Sequence, residues 1–296
     1  MDHLGKSKFK RALEYFPVLA LLSIARLIPF RIRGKVFAAI GGFAVSNLSG
    51  ARKRVVNGLS RVFPELAPEE VKRITRDVGR NTAQTLSEIL MNSDYKKRRH
   101  LFTATGPGLA VLEQARDAGK GAIIVSAHFG QWEAIRHHLA MNDMETGAVY
   151  RENNNPLYER RFRHAIEQGG SPIVARSPKG NMKMVRHLRS GGFFALLVDQ
   201  KYLVGKLVPF MGVDAMTTTA PAELALRYDL PLVPAFATRQ ANGMDIVIEY
   251  EEPIKPSDVM KMTTDINERI GDRIKKNPEQ WYWLHNRWQL NRLEAP

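Results

Sequence analysis

From Gly106 onward, short apolar runs rich in β-branched residues alternate with stretches of helical periodicity, and this alternation constrains the fold more than any single motif. Runs at 122–126, 147–150, 173–174, 193–198, 233–238 and 244–250 read as strands. The segments 109–117, 132–141, 156–167, 181–189, 220–228 and 263–276 read as helices, and 216–219 as a polar loop capping one of them. Such an order predicts an α/β fold with a mostly parallel central sheet flanked by helices. Ligands of such sheets gather beyond the carboxyl ends of the strands. His128, Arg151, Asp199 and Arg239 each follow a predicted strand, so four polar groups are expected in one cleft. Upstream, Pro68-Glu69-Glu70 opens a helix with proline and acids in its first turn, and apolar residues recur at Val71, Ile74, Val78, Ala83 and Leu86. Glu88 lies near its end in apolar surroundings, where a structural role outweighs contact with a ligand.

The first sixty residues differ in character. They hold eleven basic and two acidic residues, and so nine of the fourteen net positive charges of the chain. Apolar runs at 15–30 and 36–48 lie among those charges. The first contains Pro17, Pro29 and Arg26, and neither reaches the ~20 apolar residues of a spanning helix. They read best as interfacial or hairpin-like helices on a membrane, with lysines and arginines reaching toward anionic headgroups. A tilted span and an ordinary buried helix are the other readings. Nucleic acid is the rival polyanion, but no nucleic-acid motif accompanies the charge. The absence of cysteine excludes a disulfide framework, thiolate metal sites and a cysteine nucleophile.

The segment Ala127 to Glu133, A-H-F-G-Q-W-E, follows the apolar run at 122–125 directly. It offers a histidine on a rigid support at a strand end, with a carboxylate five positions on. On one regular helix the two would point apart, so they meet only if His128 lies in the loop and Glu133 in the first helical turn. A carboxylate on one ring nitrogen fixes the tautomer and leaves the other nitrogen free to take a proton from a hydroxyl. Such a pair would be the histidine and acid of a triad whose nucleophile is the substrate. Taken alone, the spacing also fits a strand-end histidine and a solvated acid.

The wider pattern resembles the glycerolipid acyltransferase superfamily and, within it, the lipid A late acyltransferases, the lauroyl and myristoyl transferases. The resemblance rests on H-F-G-Q-W-E together with Val62-Phe63-Pro64-Glu65-Leu66, V-Y-R-E-N-N-N-P-L at 149–157, L-L-V-D-Q at 196–200, V-P-F-M-G at 208–212, T-A-P-A-E-L-A-L-R at 219–227 and P-E-Q-W-Y-W-L-H-N-R-W at 278–288. It implies an acyltransferase domain at 56–296 behind a membrane-associated helical segment at 1–55, on the cytoplasmic face of the inner membrane. It implies O-acyl transfer from an acyl-carrier-protein thioester, with acyl-CoA the other donor, to a hydroxyl of a lipid A precursor, with no cofactor or metal. His128 and Glu133 are then the catalytic pair. Arg151, Arg160 and Arg163 are candidates for the acceptor's phosphate and Asp199 borders the site, where it can hold an arginine. Phosphatidylinositol mannoside is the alternative acceptor, and a non-catalytic basic membrane-surface protein the alternative class. Backbone N–H groups around Gly130 are the expected oxyanion donors. The sequence leaves open which of Met182, Met184, Phe194 and Leu197 floors an acyl pocket. Trp281, Trp283 and Trp288 read as a core seam in preference to a membrane belt, and His137-His138 point apart on a helix and so make no metal pair.

Overall fold

The computed structural model describes residues 8–93 and 97–289. It opens with four helices, α1 (Lys8–Leu27), α2 (Phe30–Asn47), α3 (Ser49–Val62) and α4 (Pro68–Leu90). Pro29 breaks the first pair and its carbonyl accepts from the N–H of Arg33, so α2 begins as a new helix. α2 then lies against α4 at a glycine crossing. A Cβ added to Gly41 would stand 2.3 Å from the Gly79 carbonyl oxygen, and one on Gly79 would stand 2.3 Å from that of Gly41. The glycines at 41 and 79 therefore serve close packing of two backbones.

The expected α/β architecture follows. β1 (Phe102–Thr105), β2 (Ala122–Ser126), β3 (Thr146–Tyr150), β4 (Ile173–Ala175), β5 (Phe193–Leu197), β8 (Leu232–Arg239) and β9 (Ile246–Tyr250) form one sheet in the order β1-β9-β8-β2-β5-β3-β4. All its pairs are parallel except β8 with β9. β6 (Lys206–Phe210) and β7 (Val213–Thr217) make a separate antiparallel hairpin. The remaining helices are α5 (Pro107–Asp117), α6 (Glu133–Met141), α7 (Pro156–Glu167), α8 (Pro178–Arg189), α9 (Ala220–Tyr228) and α10 (Val259–Lys276).

β2 is buried along its whole length, as its continuous apolar run requires of a central strand. Side chains alternate between the two faces. On one face Ile135 of α6 packs with Ala195, and Phe162 and Ile166 of α7 pack with Ala148 and Leu197. On the other, Met184 of α8 and Ala222 of α9 pack with Val149 and Leu196. Trp281, Trp283 and Trp288 are buried among these and close the core, with the Trp281 and Trp283 ring centroids 4.7 Å apart. They are the expected seam.

Three elements have no counterpart in the sequence reading. β1 is a four-residue edge strand, the β6–β7 hairpin takes in part of the predicted 216–219 loop, and α3 follows the second apolar run. No helix among the described residues is long and apolar enough to cross a membrane. α1 and α2 nevertheless expose Phe16, Ile24, Leu27, Ile40 and Phe43, at 59, 61, 85, 53 and 73 %. Single exposed leucines need no explanation, whereas a run of large apolar residues on two adjacent helices does.

Candidate active site

The partner of His128 is fixed by strand register. β2 and β5 pair in parallel with Ser126 opposite Leu197, so two residues further along both strands His128 comes opposite Asp199. Their side chains meet, with Nδ1 of His128 2.9 Å from Oδ1 of Asp199. The other carboxylate oxygen accepts from Nε1 of Trp281 at 2.8 Å. Asp199 is buried, and burial alone would push its carboxyl up. His128 and the Trp281 N–H outweigh that and hold it below the usual carboxylate range. An ionised carboxylate can only accept, so Nδ1 of His128 carries a proton, and in the neutral ring the lone pair is on Nε2. The ring is held from the sides by Trp132 and Tyr282, at centroid distances of 5.3 and 6.1 Å. Nε2 faces the side-chain amide of Gln200 at 3.5 Å.

Glu133, the acid expected beside His128, has a different hydrogen-bond partner. His128 lies in the loop and Glu133 begins α6, as expected, but no hydrogen bond joins them among the described residues. Oε2 of Glu133 accepts from Nη1 of Arg136 at 2.9 Å instead, one turn on. Arg136 is buried and also donates to the carbonyls of Thr146, Ile166 and Gly170. A cation tied to three carbonyls in the interior requires its counter-charge, so Glu133 is committed there.

The loop carrying His128 is held rigidly from behind. Gly130 has φ +55°, and a Cβ there would stand 2.0 Å from the Ala237 carbonyl oxygen. The N–H groups of Phe129, Gly130 and Gln131 donate to the carbonyls of Ala127, Gln280 and Ala237. They are spent on structure, so the expected oxyanion donors around Gly130 are not available. Gln131 also donates to Glu88, whose carboxylate takes a bidentate pair from Arg239 at 2.6 and 3.0 Å. Arg239 is therefore buried under α4 and does not join the cleft, and Glu88 has the structural role anticipated.

His128 opens onto a cavity of about 880 Å³. Arg151 and Glu133 line it, as do Gln200, Lys201, Arg176 and Tyr202, with the Arg176 guanidinium 4.4 Å from the Tyr202 ring centroid. Arg160 and Arg163 lie outside it on the exposed side of α7, where Arg163 pairs with Glu167 at 2.9 Å. Of the four candidates for an acyl floor, Met184 and Leu197 line the cavity, Phe194 is in the core and Met182 is 66 % exposed. His137 and His138 bond separately, to Asn92 and to the Tyr250 hydroxyl.

Residues that sequence reasoning missed stand behind the cleft. The carbonyl of Gln200 and the hairpin atoms Met216 O and Thr217 Oγ1 accept from the buried Arg287 guanidinium, and Nε2 of His285 accepts from the N–H of Lys201 at 2.9 Å. Burial pushes the His285 imidazole down to about 4, keeping it a neutral acceptor. Both belong to the C-terminal run at 278–288, in which no local pattern marks His285 and Arg287 as partners of the cleft.

Residues 5–290 match the model of the bacterial lipid A biosynthesis acyltransferase family. The chain is similar to the lipid A biosynthesis lauroyltransferase of Escherichia coli strain K12, at 24% identity over 94% of this chain and 92% of that protein. It is similar to the lipid A biosynthesis acyltransferase of Haemophilus influenzae, at 23% identity over 89% of this chain and 83% of that protein. It is also similar to the phosphatidylinositol mannoside acyltransferase of Mycolicibacterium smegmatis, at 23% identity over 81% of this chain and 83% of that protein. With a match over nearly its whole length, the chain belongs to the bacterial lipid A biosynthesis acyltransferase family and is an acyltransferase.

Proposed function

We propose that this protein transfers an acyl chain from an acyl-carrier-protein thioester to a hydroxyl of a lipid A precursor, with His128 as general base. One observation carries the mechanism: a buried, ionised Asp199 holds Nδ1 of His128 and turns the lone pair of Nε2 toward an apolar-walled cavity. In the reaction, Nε2 takes the proton of the acceptor hydroxyl as its oxygen attacks the thioester carbonyl. The tetrahedral oxyanion needs a donor, and the Gln200 amide beside Nε2 is the group placed to supply one. Collapse expels the thiolate, which takes the proton from the imidazolium, so an ester and a free thiol leave and the base is regenerated. The thioester is the activated group, and no cofactor or metal enters.

Glu133 is a positioning residue in this scheme, holding Arg136 in the cavity wall. Arg151 at the mouth is the arginine best placed for an acceptor phosphate, ahead of Arg160 and Arg163. The basic surface suits an acidic carrier protein, and the exposed face of α1 and α2 suits insertion into the cytoplasmic leaflet of the inner membrane. Transfer of labelled acyl chains from acyl-carrier protein tests the reading, with a tetra-acylated, Kdo-bearing lipid A precursor and a phosphatidylinositol mannoside as acceptors. The proposal expects ester formation on the first, lost in His128→Ala. Transfer to the mannoside alone would replace the acceptor, and full activity in His128→Ala would remove the base.

A further inference from the structure

The cavity beside His128 touches both faces of the sheet. Neighbouring residues of a strand point to opposite faces, yet Ala148 and Val149 of β3, and Ala195, Leu196 and Leu197 of β5, all line it. The packing sorts them. Ala148 and Leu197 belong with Ile89 of α4 and Phe162 and Ile166 of α7, whereas Val149 and Leu196 belong with Met184 of α8 and Leu224 of α9. The cavity therefore has two apolar arms, one between the sheet and α6 and α7, the other between the sheet and α8 and α9, joined around the strand ends at His128.

We propose that each arm seats one hydrocarbon chain, so that the donor's acyl chain and an acyl chain of the acceptor lie on opposite faces of the sheet and meet at Nε2 of His128. This rests on the acyl-transfer reading and goes beyond it by giving each chain its own seat. Volume supports two occupants. If a methylene takes roughly the ~30 Å³ of a liquid water, a twelve-carbon chain needs about 360 Å³ and two need about 720 Å³. The cavity of about 880 Å³ holds two such chains with room at the junction for the reacting groups. A single such chain would leave more than half of the cavity unfilled.

Two substitutions close one arm each. Ala148→Phe fills the first from β3, and Val185→Phe fills the second from α8; both residues are part-buried and line the cavity. Native mass spectrometry of the full chain with dodecanoate reads occupancy without turnover. The proposal expects two dodecanoates on wild type and one on each variant. A single dodecanoate on wild type, or two that neither variant displaces, overturns it; the latter outcome places the fatty acid on the outer apolar face of α1 and α2. In the transfer assay the two variants must sort onto different substrates, one raising KM for the acyl donor about tenfold and the other that for the glycolipid. Both raising KM for the same substrate refutes the assignment while leaving acyl transfer intact. No transfer by wild type to any acceptor refutes the functional reading, and the binding stoichiometry still decides the two seats.

Discussion

Asp199→Asn isolates the step on which the chemistry turns, because the structure dictates how the new amide must sit. Trp281 Nε1 can only donate, and it donates to Oδ2 of Asp199 at 2.8 Å. The single oxygen of an asparagine at 199 must therefore face Trp281, which turns its NH2 group toward Nδ1 of His128. Nδ1 then becomes the acceptor and the ring proton moves to Nε2, the nitrogen that has to take a proton from the acceptor. Size and both hydrogen bonds are kept, so stability should fall by no more than about 1–2 kcal/mol. Turnover should fall ~10³–10⁴-fold, the usual loss when a catalytic histidine is held in the wrong tautomer, with acceptor KM little changed. Imidazole ¹⁵N NMR reads the tautomer and steady-state transfer reads kcat. Glu133→Gln is the control: it leaves Arg136 as a buried cation without its counter-charge, which should cost about 3–5 kcal/mol while the His128 tautomer stays as in wild type. A near wild-type kcat in Asp199→Asn, with Glu133→Gln folded, stable and inactive, would show that Glu133 and not Asp199 governs the base.

Gly130→Ala should cost about 3 kcal/mol or more, since it adds a left-handed backbone to a Cβ placed 2.0 Å from the Ala237 oxygen; a urea midpoint within error of wild type would contradict the loop geometry. Leu27→Asp with Phe43→Asp, at positions 85 and 73 % exposed, should leave thermal stability unchanged and abolish cosedimentation with anionic vesicles, and undiminished binding would remove α1 and α2 as the membrane face. The neutral His285 makes stability depend on pH. Its folded value is depressed from 6.5 to about 4, so its contribution is fully present above pH 6.5 and is lost as pH falls toward 4, where the unfolded chain binds the proton first. His285→Gln should flatten that part of the stability curve, and an unchanged slope between pH 6.5 and 4 would show that the imidazole is not kept neutral.

Much of the fold was legible because it is written in local pattern. The fully buried β2 appears as an unbroken apolar run, and proline at the first turn marks the starts of α4, α7 and α9. β1 carries too little pattern in four edge residues of alternating burial, and in the β6–β7 hairpin Pro209 and the exposed Lys206 and Leu207 interrupt the strand signal. The site divided along the same line. A local motif marks His128, whereas Asp199 reads from the sequence as a strand-end acid that can hold an arginine. What joins it to His128 is the pairing of β2 with β5, a relation between residues 71 apart that no local window contains. Arg136 carries no such signal, because a lone arginine on a helix reads as surface and nothing in the sequence announces the carbonyls of Thr146, Ile166 and Gly170 that surround it.

The two-armed cavity and the histidine–aspartate pair share one topological cause. From β2 the chain winds outward through α6 to β3 and through α7 to β4, and then reverses, returning through α8 to β5 between β2 and β3. A right-handed crossover puts its helix on one face when the chain moves one way along the sheet and on the other face when it moves back. The reversal after β4 therefore sends α6 and α7 to one face and α8 and α9 to the other, as their core partners confirm. A crevice opens where the helices change sides. β5, inserted between β2 and β3 on the return, brings Asp199 beside His128 at that same place. The spacing of His128 and Glu133 also has a structural cause. The histidine is delivered by the strand before it, and the acid secures the helix after it, through Arg136, to the carbonyls around β3 and α7 that shape one arm.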